Sequence, residues 1–284
     1  MTSLPDFLVI GAQKCGTTTL YEDLRSHPRV FIPDKETSGL VDLKLDDASS
    51  VEKYCSMFEQ GGSRLSGEVS TLYSMLPMYD VARTAGRLLG AAQILYIVRE
   101  PISRVISHHH HEFSAGAMGP DIDVEVEQRP ELVDNSRYAT QVAPWIDAFG
   151  RSNVHIIRFE DYMADRQAGA DGVFRKLGLD QWKLPTASEA FNTADNKFLA
   201  TGLRGKVSRS TPYRRLIRPL FPEAVRRRLM RLVLPKPPKR PNPPSEDTVA
   251  ELVRRLQPEV VALSEWTGGE LWWDLNTVLE NHRG

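Results

Sequence analysis

The sequence predicts an α/β fold: a parallel sheet flanked by helices, folded as a single domain. Three observations lead there. Short apolar stretches recur, near-continuous in F-L-V-I (7–10) and I-L-Y-I-V (94–98), the pattern of strands covered on both faces of a sheet. Longer amphipathic segments alternate with them, as crossover helices do in a parallel sheet. The first apolar stretch runs directly into a glycine-bounded loop and then a helix start, F-L-V-I-G-A-Q-K-C-G-T-T-T-L over residues 7–20. Sheets of this kind bind ligands beyond the carboxyl ends of their strands, and the residues that carry chemistry fall there.

Taken in order, D-F-L-V-I-G makes a strand at about 6–11, and a helix follows near 17–26 once the glycine loop has turned the chain. L-S-G-E-V-S is the second strand, at 65–70, with a helix near 76–89. Q-I-L-Y-I-V is the third, at 93–98, and the helix near 101–114 opens on Pro101, whose missing N–H costs nothing in a first turn. A helix near 138–149 leads to the fourth strand, N-V-H-I-I-R at 153–158, and another helix covers 166–177. Residues 190–212 lack periodicity and are rich in small and basic residues, as a mobile loop would be. P-K-P-P-K-R-P-N-P-P at 235–244 places six prolines in ten residues, a polyproline II spacer. Ser245 then suits the N-cap of a last helix carrying Val249, Leu252, Val253 and Leu256 on one face, expected to fold back on the sheet. The tail W-T-G-G-E-L-W-W-D-L is expected to pack through its aromatics.

At 284 residues, with 41% hydrophobic and 26% charged residues, the composition is ordinary for a globular protein. A formal charge of −1 provides no bulk-charge argument for nucleic acid or membrane. Cys15 and Cys55 are too few for a disulfide framework and fit a reducing cytosol. There is no leader-like segment and no apolar run of about 18 residues, and Met1 leads almost at once into the first strand, so a soluble cytoplasmic protein is expected. The charge is unevenly spread. Arg204 to Arg240 holds thirteen Lys or Arg against one acid, Glu223. That segment reads either as a solvated helix face plus basic linker or as a cationic flap over an anionic cofactor or acceptor. Sparse aromatics and the lack of a binding motif argue against a nucleic-acid or membrane patch.

Gly11 and Gly16, with four residues between them, have the spacing of a phosphate-binding P-loop, which makes the expected sheet P-loop-type. The lysine that should follow the second glycine is absent. Thr17 stands there, and the loop's lysine, Lys14, lies inside it. A phosphate can still sit on the loop amides and the helix N-terminus, but the ammonium need not serve a β/γ-phosphate and its magnesium. The third strand runs into Y-I-V-R-E-P-I-S-R-V-I-S-H. Arg99 lies where strand meets helix and Ser107 eight residues on, so a guanidinium and a hydroxyl could grip a second phosphate. Alone, this pattern is also an ordinary helix start.

Together, G-A-Q-K-C-G-T-T-T-L and V-R-E-P-I-S-R-V-I-S-H resemble the 5′-phosphosulfate and 3′-phosphate motifs of the sulfotransferases that use 3′-phosphoadenosine-5′-phosphosulfate (PAPS). The nearer branch holds the bacterial and heparan-type enzymes. The resemblance continues through S-R-Y-A-T-Q (136–141), I-I-R-F-E-D-Y (156–162) and F-R-K-L-G-L (174–179), and loosens after residue 190. It implies that Lys14, Cys15, Gly16, Thr17 and Thr18 hold the 5′ side of PAPS and Arg99 and Ser107 the 3′-phosphate. Relatives usually carry Lys-Glu-Pro-x-Phe-Phe after the first helix. D-K-E-T-S-G-L keeps Lys35 and Glu36 and loses the Pro and aromatics, which leaves Glu36 as the implied catalytic base. G-E-V-S-T-L-Y resembles the family's G-E-x-S-P-x-Y near the acceptor, with Thr71 for the proline, and makes Glu68 and Ser70 second-tier candidates. In G-L-R-G-K-V-S-R-S, Arg204, Lys206 and above all Arg209 match a basic loop that closes over the cofactor.

His108 to His111 invite a metal reading, but four consecutive helical residues fan through about 300°, and no Cys or carboxylate cluster completes a set. Solvated or capping histidines are expected, with one of them an alternative base. The implied reaction moves a sulfuryl group from PAPS to a hydroxyl, with an amine as second choice, of a carbohydrate, lipid or natural-product acceptor, and needs no metal. Glu36 takes the acceptor proton, and Lys14 with the loop amides stabilises the leaving phosphate. Two other classes stay open. A P-loop kinase or NTPase would need the missing lysine and a Walker-B aspartate. A polyanion-binding module would use only the 204–240 segment.

Overall fold

The computed structural model describes residues 3–185 and 241–283. Its strands are β1 (Phe7–Gly11), β2 (Val30–Phe31), β3 (Leu65–Val69), β4 (Gln93–Val98) and β5 (Val154–Arg158). All pair in parallel, in the order β2-β3-β1-β4-β5. The helices are α1 (Thr17–Ser26), α2 (Ala48–Ser56), α3 (Ala82–Leu89), α4 (Pro101–Ala115), α5 (Ile122–Gln128), α6 (Glu131–Asp134), α7 (Tyr138–Phe149), α8 (Phe159–Ala164), α9 (Arg166–Lys176), α10 (Glu246–Ser264) and α11 (Leu275–Arg283). None of the described helices is long and apolar enough to cross a membrane.

Phe7 to Ile10 and Ile94 to Val98 are fully buried, as central strands covered on both faces must be. From β1 the chain builds β2 and β3 on one side. It then crosses to the other side for β4 and β5, so the topological switch lies between β1 and β4. Their register runs Val9 opposite Leu95 and then Gly11 opposite Tyr96, a bulge that leaves Ile10 unmatched. Beyond it the Ala12 N–H donates to the Ile97 carbonyl at 2.7 Å, tying the loop after β1 to the end of β4.

Ser245 caps α10 by accepting from Thr248 N at 3.3 Å, and Val249, Leu252, Val253 and Leu256 form its buried face. The helix packs on α7 and α4. There Glu259 accepts from Thr140 N at 2.9 Å, Thr140 Oγ1 at 2.7 Å and Arg137 Nε at 3.2 Å, closing the start of α7.

The helix expected near 76–89 is shorter. A single 3-10 turn covers Thr71–Ser74, and α3 begins only at Ala82. Pro77 explains the delay, since it lacks an N–H and pushes Leu76 away from helical geometry. The two-residue β2 and the helices α2, α5, α6, α8 and α11 were not foreseen.

Candidate active site

The loop after β1 is shaped by two glycines. Gly11 has φ +145°, and a Cβ there would lie 2.0 Å from Ser74 Oγ. Gly16 has φ +84°, and a Cβ there would lie 2.7 Å from the Phe159 ring. Gly16 is also the N-cap of α1 and supplies no capping side chain, so its own side chain satisfies none of the first amides of the helix. Thr17 and Thr19 are buried, and Thr18 is half-buried. Cys15 is a core residue: its thiol lies 3.6 Å from Tyr138 Oη, and its N–H donates to Ala12 O at 3.2 Å. Burial pushes that thiol up to about 11.

Arg99 stands at the end of β4, beside this loop. Its backbone N–H faces the Cys15 sulfur, and its guanidinium lies over the Phe159 ring at 5.2 Å. The ring that limits Gly16 therefore also supports Arg99. Glu160, the next residue, accepts the Glu100 N–H at 2.8 Å, and Glu100 caps α4 by accepting from Ile102 N and Ser103 N, both at 2.7 Å. Ser107 lies two turns into α4 and is half-buried. The sequence identified I-I-R-F-E-D-Y as a family segment without a role for Phe159. Its contacts are made across the fold and leave no local signal.

Glu36 sits beyond β3. Its N–H donates to the Val69 carbonyl at 2.8 Å, and its carboxylate accepts from Thr71 N at 2.9 Å, Thr71 Oγ1 at 3.2 Å and Lys35 Nζ at 2.7 Å. Thr71 thus contributes an N–H that a proline would lack. Lys14, Glu36 and Ser38 all have positive φ, of 70°, 62° and 55°. Non-glycine residues rarely adopt this region, and such strain persists where surrounding structure enforces it.

Beneath Glu36, Glu68 is fully buried. It accepts from Thr37 Oγ1 (2.7 Å), Gly39 N (2.8 Å), Tyr73 Oη (2.6 Å) and Tyr54 Oη (2.8 Å). Burial, and then the Glu68 charge, push both phenols upward. Four donors on one carboxylate make Glu68 the anchor of the 37–40 turn. Ser70 Oγ joins that anchor, 2.9 Å from Ser38 Oγ.

The histidines depart from expectation. His108 and His109 are buried rather than solvated, because the inner face of α4 also carries Arg104 and Val105. His109 Nε2 lies 2.9 Å from the Gly119 carbonyl. His108 Nδ1 faces Arg104 at 3.2 Å. Burial, with Arg104 and Lys14 nearby, holds the His108 imidazole down to about 3, which makes it a poor base near neutrality. Among the described residues no group of three or more His, Cys, Asp or Glu is arranged to hold a metal ion. Arg204, Lys206 and Arg209, with the flap at 190–240, lie outside the described residues.

A family model, the sulfotransferase domain, matches residues 4–183. The chain belongs to the sulfotransferase family. Carbohydrate sulfotransferase 15 of Rattus norvegicus is 24% identical over 265 residues, covering 67% of this chain and 47% of the relative. Bifunctional heparan sulfate N-deacetylase/N-sulfotransferase 4 of Mus musculus is 28% identical over 199 residues, covering 62% and 22%. The chain therefore spans about half or less of the length of these curated relatives. A crystal structure of a sulfotransferase from Alicyclobacillus acidocaldarius superposes with a TM-score of 0.63 at 20% identity, over 93% of this chain and 95% of that one, and shows the shared fold. The matched region holds β1 to β5, the loop after β1, the Arg99 turn and Glu36, while α10 lies beyond it.

Proposed function

We propose that the protein transfers a sulfuryl group from PAPS to a hydroxyl, or secondarily an amine, of a carbohydrate, lipid or natural-product acceptor. The observation that carries this reading is the meeting of three segments at the carboxyl ends of adjacent strands. The anion loop follows β1, Arg99 follows β4, and Glu36 is fastened to the end of β3. The donor set fits PAPS. The α1 amides, Thr17, Thr18 and Lys14 suit its 5′ side, and Arg99 with Ser107 suits its 3′-phosphate. The cofactor supplies the activated sulfuryl group.

Glu36 accepts the acceptor's proton, held in place by Thr71 and Lys35, a role typically worth about 10²–10⁴ in rate. Lys14 and the loop amides neutralise charge on the leaving phosphate, on the order of 3 kcal/mol per donor. The two relatives named above, one for carbohydrate and one for heparan sulfate, favour a carbohydrate acceptor. Cys15 and Cys55 are both free thiols, which supports a reducing compartment such as the cytoplasm.

Thermal titration with adenosine 3′,5′-bisphosphate, and separately with ATP and magnesium, tests the reading. Ligand at about 100 times its dissociation constant adds roughly 2.7 kcal/mol of stability. Stabilisation by ATP and magnesium alone would replace the reading with a kinase. Glu36→Gln should bind the bisphosphate normally and lose turnover about a hundredfold or more, and undiminished turnover would remove Glu36 from its role.

A further inference from the structure

Near the loop after β1 lies a buried positive charge with no negative partner among the described residues. Arg104 is fully buried on the inner face of α4. One terminal nitrogen donates to the Leu132 carbonyl at 2.6 Å and faces His108 Nδ1 at 3.2 Å. Its Nε and other terminal nitrogen have no hydrogen-bond partner among the described residues. The acidic groups facing the guanidinium are Tyr138, Cys15 and Tyr96. Burial keeps all three protonated, with the thiol at about 11 and both phenols well above their ordinary value. Cys15 belongs to the loop and touches Tyr138 at 3.6 Å, and the Arg104 charge acts on both, so the guanidinium lies close to the buried side of the loop. A buried ion with no counter-charge is costly, and it is compensated when binding brings an anion to the other side of that loop.

We propose, resting on the PAPS reading, that Arg104 is a buried third cation of the cofactor site. It acts through its field rather than by contact, with the bound anionic cofactor as its counter-ion. Lys14 and Arg99 are half-exposed and screened by salt, whereas the field of Arg104 crosses a dry, low-dielectric layer. Arg104 is thus a positioning residue for charge, and not a catalytic one.

The test compares Arg104→Met, apolar and similar in volume, with Arg104→Lys, which keeps the charge and loses the fork. Both are titrated with adenosine 3′,5′-bisphosphate beside the wild-type chain. The ligand-free Met variant should melt no lower than the Lys variant and bind the bisphosphate about tenfold or more weakly than wild type. The Lys variant should bind within a few-fold of wild type. Equal affinity of the two variants overturns the proposal. So does a Met variant that cannot fold, because the charge is held to cost the ligand-free protein stability. If only the Met variant folds, wild-type affinity in it overturns the proposal. Failure of the wild-type chain to bind would defeat the PAPS reading itself, whereas normal wild-type binding with indistinguishable variants would defeat only the role of Arg104.

Discussion

Replacing Gly16 by alanine tests how the two candidate phosphate motifs are joined. At φ +84° an alanine costs about 1–2 kcal/mol relative to glycine. Its Cβ would also stand 2.7 Å and 2.8 Å from two carbons of the Phe159 ring, well inside contact distance. The ring must shift by several tenths of an ångström or more, and Arg99 rests on it at 5.2 Å. Weakening that cation–π contact forfeits about 0.5–1 kcal/mol. The folded state of Gly16→Ala should therefore lose roughly 2 kcal/mol in urea denaturation, and affinity for adenosine 3′,5′-bisphosphate should fall about two- to fivefold. Adding Phe159→Leu makes room for the methyl group, so the double variant should recover part of the stability. It should not recover the affinity, because Arg99 still lacks its ring. Wild-type affinity in Gly16→Ala would refute the coupling of loop and arginine through Phe159.

Lys14→Ala should lower turnover far more than bisphosphate affinity, as a transition-state role demands, and equal losses would remove that role. Glu68→Ala strands four donors, and should cost about 3–5 kcal/mol in chemical denaturation while loosening the turn that carries Glu36. A loss below about 1 kcal/mol would show that the turn does not depend on it. His108 titrates near 6.5 when unfolded and is held down to about 3 when folded, so between these values only the unfolded chain binds the proton. Stability present above pH 6.5 is then lost on acidification, by up to the order of 5 kcal/mol, and His155, held down to about 4 mainly by burial, acts in the same direction. His108→Gln should flatten the fall in melting temperature between pH 6.5 and 4, and an unaltered fall would assign it elsewhere.

Some of this architecture follows from chain-local pattern. Apolar runs buried on both faces made β1 and β4 readable, while β3 and β5 were read from weaker apolar signals. Ser245 and Pro101 marked helix starts because capping and a fixed φ are local properties. The glycine spacing with Thr17 in place of lysine, and the Arg99 turn, marked two candidate phosphate motifs, because a strand–loop–helix junction is dictated by a few neighbouring residues. Tertiary structure alone decided the rest. A two-residue strand such as β2 has no period to detect and exists only through its pairing with β3. The burial of His108 and His109 depends on which face of α4 meets the core. Glu68 is an anchor because Tyr54, Tyr73 and the 37–40 turn converge on it from separate segments. Phe159 joins Gly16 to Arg99 because β5 lies next to β4. Strand order and convergence come from contacts between residues far apart in the chain, whose partners no local window contains.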